Sequence, residues 1–139
     1  MTTADNKALI QQFNDSVWNA GNLAEIDELF ASNWVWHSAP GVSPDRTGLQ
    51  QMVTMFRSAF SDIQSSVDDQ IAENDEVVWR WTMRARHTGD FMGLPPTDRS
   101  ITFSGISIDR LAAGRFVERW DSADMMGLMQ QLGTGSAPS

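Results

Sequence analysis

Val77-Val78-Trp79-Arg80-Trp81-Thr82-Met83-Arg84-Ala85-Arg86-His87 carries the most regular alternation in the chain. Val77, Trp79, Trp81, Met83, Ala85 and His87 fall on one face of an extended segment, and Arg80, Thr82, Arg84 and Arg86 on the other. One apolar and one polar face make a half-buried strand of an antiparallel sheet. The remaining elements must extend, bend or cover that sheet.

Upstream, Ile63 to Ala72 alternates as a second strand, and Asn74-Asp75 supplies the tight turn between the two. Downstream, Ile101 to Arg110 is strand-like, but Ile101 and Phe103 sit in one phase and Ile106 and Ile108 in the other. That slip predicts a β-bulge at Ser104-Gly105, which would bend the sheet. Ala113-Gly114 turns the chain into a last strand, Phe116 to Trp120. Met125, Leu128, Met129 and Leu132 then mark a closing helical turn or two, stopped by Gly133, and residues 134–139 read as a disordered tail.

Before the sheet, residues 4–18 place Leu9, Ile10, Phe13 and Val17 at helical spacing, with Asp5 or Thr3 as cap. Leu23, Ile26, Leu29 and Phe30 mark a shorter helix behind a cap at Asn22. Asn33 to His37 is a short strand with Trp34, Trp36 and Ser38 on one face and Val35 and His37 on the other, ended by Pro40-Gly41. A third helix holds Leu49, Met52, Val53, Phe56 and Phe60 and starts near Thr47. The order predicts one α+β domain over residues 1–133, a cone in which a curved antiparallel sheet packs on three helices around an internal pocket.

The composition narrows the function. With 139 residues and a net charge of −8, the chain lacks the basic face that nucleic acid or an anionic membrane requires. It has no cysteine, which removes disulfides, thiol nucleophiles and thiolate metal sites. No apolar run approaches the roughly 20 residues of a membrane span. The opening Met-Thr-Thr-Ala-Asp-Asn-Lys lacks the plan of a signal peptide, so a cytoplasmic protein is expected. Six tryptophans, seven phenylalanines and eight methionines, with no tyrosine, suit a core or the walls of a pocket for flat organic ligands. Gly89, Gly93 and Gly105 form no phosphate-binding loop, and no nucleophile elbow is present. His37 and His87 lack a third ligand at any metal-binding spacing, so no metal is expected. The Arg80, Arg84 and Arg86 stripe fits surface pairing across a sheet or a subunit interface.

The run His87-Thr88-Gly89-Asp90-Phe91-Met92-Gly93-Leu94-Pro95-Pro96-Thr97 resembles the hairpin signature of SnoaL-like polyketide cyclases, members of the nuclear transport factor two-like superfamily. The likeness continues through Ile101-Thr102-Phe103-Ser104-Gly105-Ile106, Gly114-Arg115-Phe116-Val117-Glu118, Trp120-Asp121 and Gly127-Leu128 to Gln131-Leu132-Gly133. Trp36-His37-Ser38 is similar to the polar end of that family's first strand. Where relatives commonly have glycine after Pro-Pro-Thr, this chain has Asp98. The resemblance implies a homodimer that uses no cofactor and acts on a hydrophobic, polycyclic carbonyl compound by an aldol-type ring closure. It places a general acid/base near the end of the last strand, at Asp121 or Asp124, with Asp121 preferred.

Aldol closure needs a base to take a proton from carbon and a donor for the oxygen that becomes an alkoxide. Apolar walls such as Trp120, Phe103 and Met125 would raise the Asp121 carboxyl toward neutrality, and Trp81 is expected to bind substrate with them. Asp121 also fits an N-cap of the closing helix, and Asp124 a first-turn carboxylate. Asp121 alternates with Trp120, so a regular strand cannot turn both inward. His87, at the end of the apolar face, is the candidate polar partner of Asp121, and His37 and Trp36 are expected to shape the pocket mouth. Epoxide opening, hydration or isomerisation in the same pocket, and a ligand-binding domain without catalysis, are the rival readings.

Overall fold

The structure, a computed structural model, describes residues 2–37 and 41–133. The element order is α1 (Thr3–Phe13), α2 (Ala24–Leu29), β1 (Phe30–Trp36), α3 (Arg46–Ala59), β2 (Phe60–Glu73), β3 (Glu76–His87), β4 (Ser100–Ala112), β5 (Arg115–Ala123) and α4 (Met125–Gln131). The five strands form one sheet in the order β1-β5-β4-β3-β2. All neighbours are antiparallel except β1, which runs parallel to β5. The result is the α+β architecture expected, with that one parallel edge added. The expected tail, together with Ser38 and Pro40, lies outside the described residues.

Thr2, rather than Thr3 or Asp5, caps α1, and Asp5 completes the box by accepting from the Thr2 backbone N–H at 2.9 Å. That backbone hydrogen bond is the main cause of the lowered pKa of Asp5. Past Phe13 the helix continues as a π-wound stretch, Asn14–Asn19. There Asn14 and Asn19 both donate to the Ser65 carbonyl, at 2.8 and 2.9 Å. Ser65 returns its backbone N–H to Asn19 and its hydroxyl to Asn14, at 2.7 Å each. The wider winding lets two asparagines reach one point on β2 and pin the helix to the sheet.

Three boundaries shift from the sequence expectation. Asn22 offers only its backbone carbonyl, and Leu23 stands at the start of α2 without a side-chain cap. Phe30 and Phe60 leave their helices and begin β1 and β2 instead. Both are buried aromatics that the sheet accepts as well as a helix face would. Asp45 caps α3 through the Gly48 N–H at 3.1 Å.

The β3 alternation appears as expected: Val77, Trp79, Met83, Ala85 and His87 are buried and Arg80, Arg84 and Arg86 exposed. The expected bulge at Ser104-Gly105 does not exist. β4 pairs with β3 without interruption from Ser100 to Arg110. Its inward phase runs through Ile101, Phe103, Gly105, Ser107, Asp109 and Leu111, while Ile106 is 48% exposed on the outer face. The register shift in β4 comes later, between Arg110 and Leu111, against β5. The apolar pattern misled because two inward positions, Ser107 and Asp109, are polar and are satisfied by partners on other strands.

The connection from β3 to β4 folds back on itself. Phe91 and Leu94 form an isolated pair, and Phe91 is fully buried against Phe56 and Phe60, with ring centroids 5.4 and 5.1 Å apart. Asp98, in the glycine position of the resemblance, has φ of 60°, and its carboxylate takes both ends of the Arg86 fork at 2.8 and 2.7 Å. The Arg86 hydrogen bond is the main cause of the lowered Asp98 pKa. Asp98→Ala loses the fork and keeps a left-handed Cβ, so it should melt below Asp98→Gly, which loses the fork alone. Thermal unfolding of the two variants side by side checks the order.

Candidate functional site

The inner face of the sheet, α1, α3 and the β3–β4 hairpin enclose a cavity of about 750 Å³. That size is typical of sites for drug-sized ligands. Its walls are mostly aromatic and thioether: Phe13, Trp18, Trp36, Phe56, Trp79, Trp81, Phe91 and Phe103, with Met52, Met55, Met83, Met92 and Met125. Gly41, Met92 and Met125 are exposed and mark the mouth. Gly105 leaves room for the Trp81 indole of that wall: a Cβ there would collide with the indole and lie 2.8 Å from the Ser122 carbonyl.

The polar lining is sparse and concentrated on neighbouring strands. Trp79, Ser107 and Asp121 stand in register across β3, β4 and β5, and Asp109 and Arg119 form the next rung. Asp121 accepts from the Trp36 indole N–H at 3.2 Å. Burial raises its pKa above the usual carboxylate value, against an opposing pull from the Arg119 charge. β5 therefore turns Asp121 inward and Trp120 outward. Trp120 stacks on His37 with centroids 4.7 Å apart, and His37 bonds Glu118 at 2.8 Å. Hydrogen bonding from His37, then Arg110, lowers the Glu118 pKa.

Of the expected site residues, Trp36, Trp81, Phe103 and Asp121 line the cavity together; His37, His87, Trp120 and Asp124 are not part of its lining. Asp124 is the N-cap of α4, accepting from the Gly127 N–H at 2.9 Å. That leaves Asp121 free of the capping role. His87 is fully buried beside Phe60, with centroids 5.3 Å apart. Its Nδ1 lies 3.0 Å from the Thr97 hydroxyl and 3.2 Å from the Thr97 backbone nitrogen, and its Nε2 has no partner among the described residues. His87 lies eight residues along β3 from Trp79, the residue in register with the Asp121 rung, which is roughly 25 Å of strand. The structure thus gives His87 to the hairpin and does not bring it to Asp121.

Sequence reading missed Arg119, Asp109, Ser107 and Ser65. Arg119 and Asp109 are buried, at 4% and 0% side-chain exposure, and joined Nε to Oδ1 at 2.8 Å. The Trp79 indole N–H donates to the other Asp109 oxygen at 2.7 Å. The one available signal was the phase of β5: if Asp121 faces inward, so does Arg119, two residues earlier. Among the described residues, no three His, Asp or Glu side chains form a metal-holding group.

Comparison with known proteins agrees with this architecture. The sequence model of the SnoaL-like polyketide cyclases matches residues 8–132. The chain is 26% identical to the nogalonic acid methyl ester cyclase of Streptomyces nogalater over 121 residues, covering 85% of this chain and 90% of that protein. Among solved structures, TsrD from Streptomyces laurentii superposes with a TM-score of 0.87 at 26% identity, covering 96% of this chain and 98% of that one. AclR from Streptomyces galilaeus, a proposed hydroxylase, gives 0.88 at 29% identity, covering 99% and 87%. The chain belongs to the SnoaL-like polyketide cyclase family.

Removing one member of a buried ion pair strands the other charge, so Asp109→Ala should destabilise the fold by about 3–5 kcal/mol. Urea unfolding of the variant against wild type measures that loss.

Proposed function

We propose that the protein closes a ring in a flat, hydrophobic carbonyl compound by intramolecular aldol addition, with Asp121 as general acid/base. The observation that carries this reading is a carboxyl group in an apolar cavity, its pKa raised by burial and its carboxylate steadied by the Trp36 indole. A base of raised pKa can take a proton from carbon beside a carbonyl and later return it to the alkoxide. The addition transfers one proton and forms one carbon–carbon bond with no net redox change, so the step itself calls for no cofactor. The cyclase relative, named for a methyl ester of a polyketide acid, supports a substrate of that class.

The hydration reading has a weaker basis. It needs a second acidic group beside the attacking water, and Asp124 is engaged in capping α4 while both Asp109 oxygens are taken. The reading includes a homodimer: Ile71, Val78 and Ile106 are exposed apolar side chains of the sheet strands that a second copy would cover. Sedimentation at micromolar concentration should give twice the chain mass, and a monomer would remove the dimer from the proposal.

Turnover of anthraquinone keto-ester precursors tests the chemistry. Asp121→Asn should lose about 10²–10⁴-fold in kcat, the usual worth of a general acid/base. Its stability behaves oppositely. Because the folded-state pKa of Asp121 is raised, the folded protein holds more protons between the ordinary carboxylate value and the raised one, and wild-type stability falls as pH rises through that window. The variant has no such penalty, so at neutral pH it should melt at or above wild type, with the advantage gone below the ordinary carboxylate range. An active Asp121→Asn enzyme would refute the assignment.

A further inference from the structure

Arg119 is the buried charged group in the cavity wall that the proton chemistry above leaves without a task. It is 3% exposed and lines the cavity, and its Nη2 has no hydrogen-bond partner among the described residues. Burying a donor of a charged group without an acceptor is unfavourable, and native interiors rarely tolerate it. The side chain is otherwise held through Nε and by aromatic faces. Nε is held by Asp109 at 2.8 Å, and Trp79 holds the far Asp109 oxygen at 2.7 Å. The guanidinium carbon lies 4.6, 5.5 and 5.8 Å from the ring centroids of Phe13, Phe30 and Phe116. A guanidinium clamped at Nε, with Nη2 donors that find no acceptor among the described residues, is preorganised for an oxygen that arrives with a ligand.

Asp121 follows two residues later on the same strand and faces the same cavity, so the backbones of base and cation are about 7 Å apart. That separation suits a carbon acid and the oxygen of its neighbouring carbonyl. We propose that Arg119 is the electrophilic pole of the site: its guanidinium donates to the enolate oxygen of the ligand, so the cavity selects compounds that present an ionised or enolisable β-dicarbonyl or hydroxyquinone oxygen beside Asp121. The proposal rests on the cyclase reading. In the step, Asp121 takes the proton from carbon and the C–H electron pair passes into the enolate, whose oxygen Arg119 holds. The enolate carbon then adds to the second carbonyl, forming the new bond, and the resulting alkoxide takes the proton back from Asp121. Asp109 and Trp79 act as positioning residues that keep the guanidinium turned toward the cavity.

The test is binding, so it does not depend on finding the natural substrate. A hydroxynaphthoquinone, an anion at neutral pH, and its neutral methyl ether are titrated against wild type, Arg119→Lys, Asp121→Asn and the double variant Asp109→Asn/Arg119→Met. The double variant removes both buried charges together and so avoids stranding either. Wild type should prefer the anion by about tenfold, the worth of one charge-assisted hydrogen bond. The double variant should bind both quinones alike, and Arg119→Lys, which keeps the charge but not the planar fork, should fall between. Asp121→Asn should keep or increase the preference, since it removes a carboxylate near the anion. An equal preference in wild type and a folded double variant overturns the proposal; if the double variant does not fold, an unchanged preference in Arg119→Lys does so. Keto-ester turnover separates the two readings. A wild type that prefers the anion yet closes no ring removes the cyclase reading and leaves the Arg119 site standing. A double variant that turns over like wild type removes the Arg119 role and leaves the cyclase reading standing.

Discussion

The pairing of Arg119 with Asp109 is the constraint on which the closed end of the cone depends. Two ionised groups with almost no exposure are tolerable only if each finds enough partners to offset its desolvation. Asp109 does so by accepting from Arg119 and from the Trp79 indole, which binds β3, β4 and β5 at one level. The faces of Phe13, Phe30 and Phe116 then pack α1, β1 and β5 around the cation. Any slip of register among these strands would turn one of the charges toward the outer face and leave the other buried alone. The ion pair therefore specifies the register that sets Asp121 inward on the next rung.

From that rung the site divides its work by environment. Asp121 meets apolar walls, whose desolvation favours the protonated carboxyl, and an indole N–H, which favours the carboxylate; burial prevails and its pKa is raised. Arg119 meets a carboxylate and aromatic faces, which hold its guanidinium in place. The rest of the cavity supplies shape rather than charge. Five of the eight methionines line it, and unbranched thioethers adapt to ligands of different outline more readily than branched side chains do.

The β3–β4 hairpin illustrates how a loop is made rigid enough to serve a pocket. Phe91 packs against both Phe56 and Phe60, the Thr88 and Gly89 N–H groups both bond the Ala59 carbonyl, and His87 accepts from Thr97 at the hairpin's base. These contacts leave Met92 at the mouth while its neighbour is buried. The histidine with an apolar strand face behind it thus serves the hairpin's geometry, which is a structural use of a residue type that chemistry also favours.

Much of this was legible in the residues themselves. The element order, the half-buried β3, the turns at Asn74-Asp75 and Ala113-Gly114, and the inward tryptophans of β1 follow from periodicity and turn chemistry, which are local properties. The family was legible in the His87 to Thr97 run and in the Trp120-Asp121 pair. What local pattern could not decide was which polar side chains face inward, because burial of a charge depends on a partner distant in sequence. Asp109 and Ser107 made β4 look out of phase, although the strand is regular. Local pattern favoured Asp121 as the acid but left it a possible cap; α4 starts at Met125 and gives the cap to Asp124. Residue types and spacing set the strands and the helices; only the tertiary structure, by bringing Asp109 and Trp79 to Arg119, decided where the buried charge lies and which carboxyl faces the cavity.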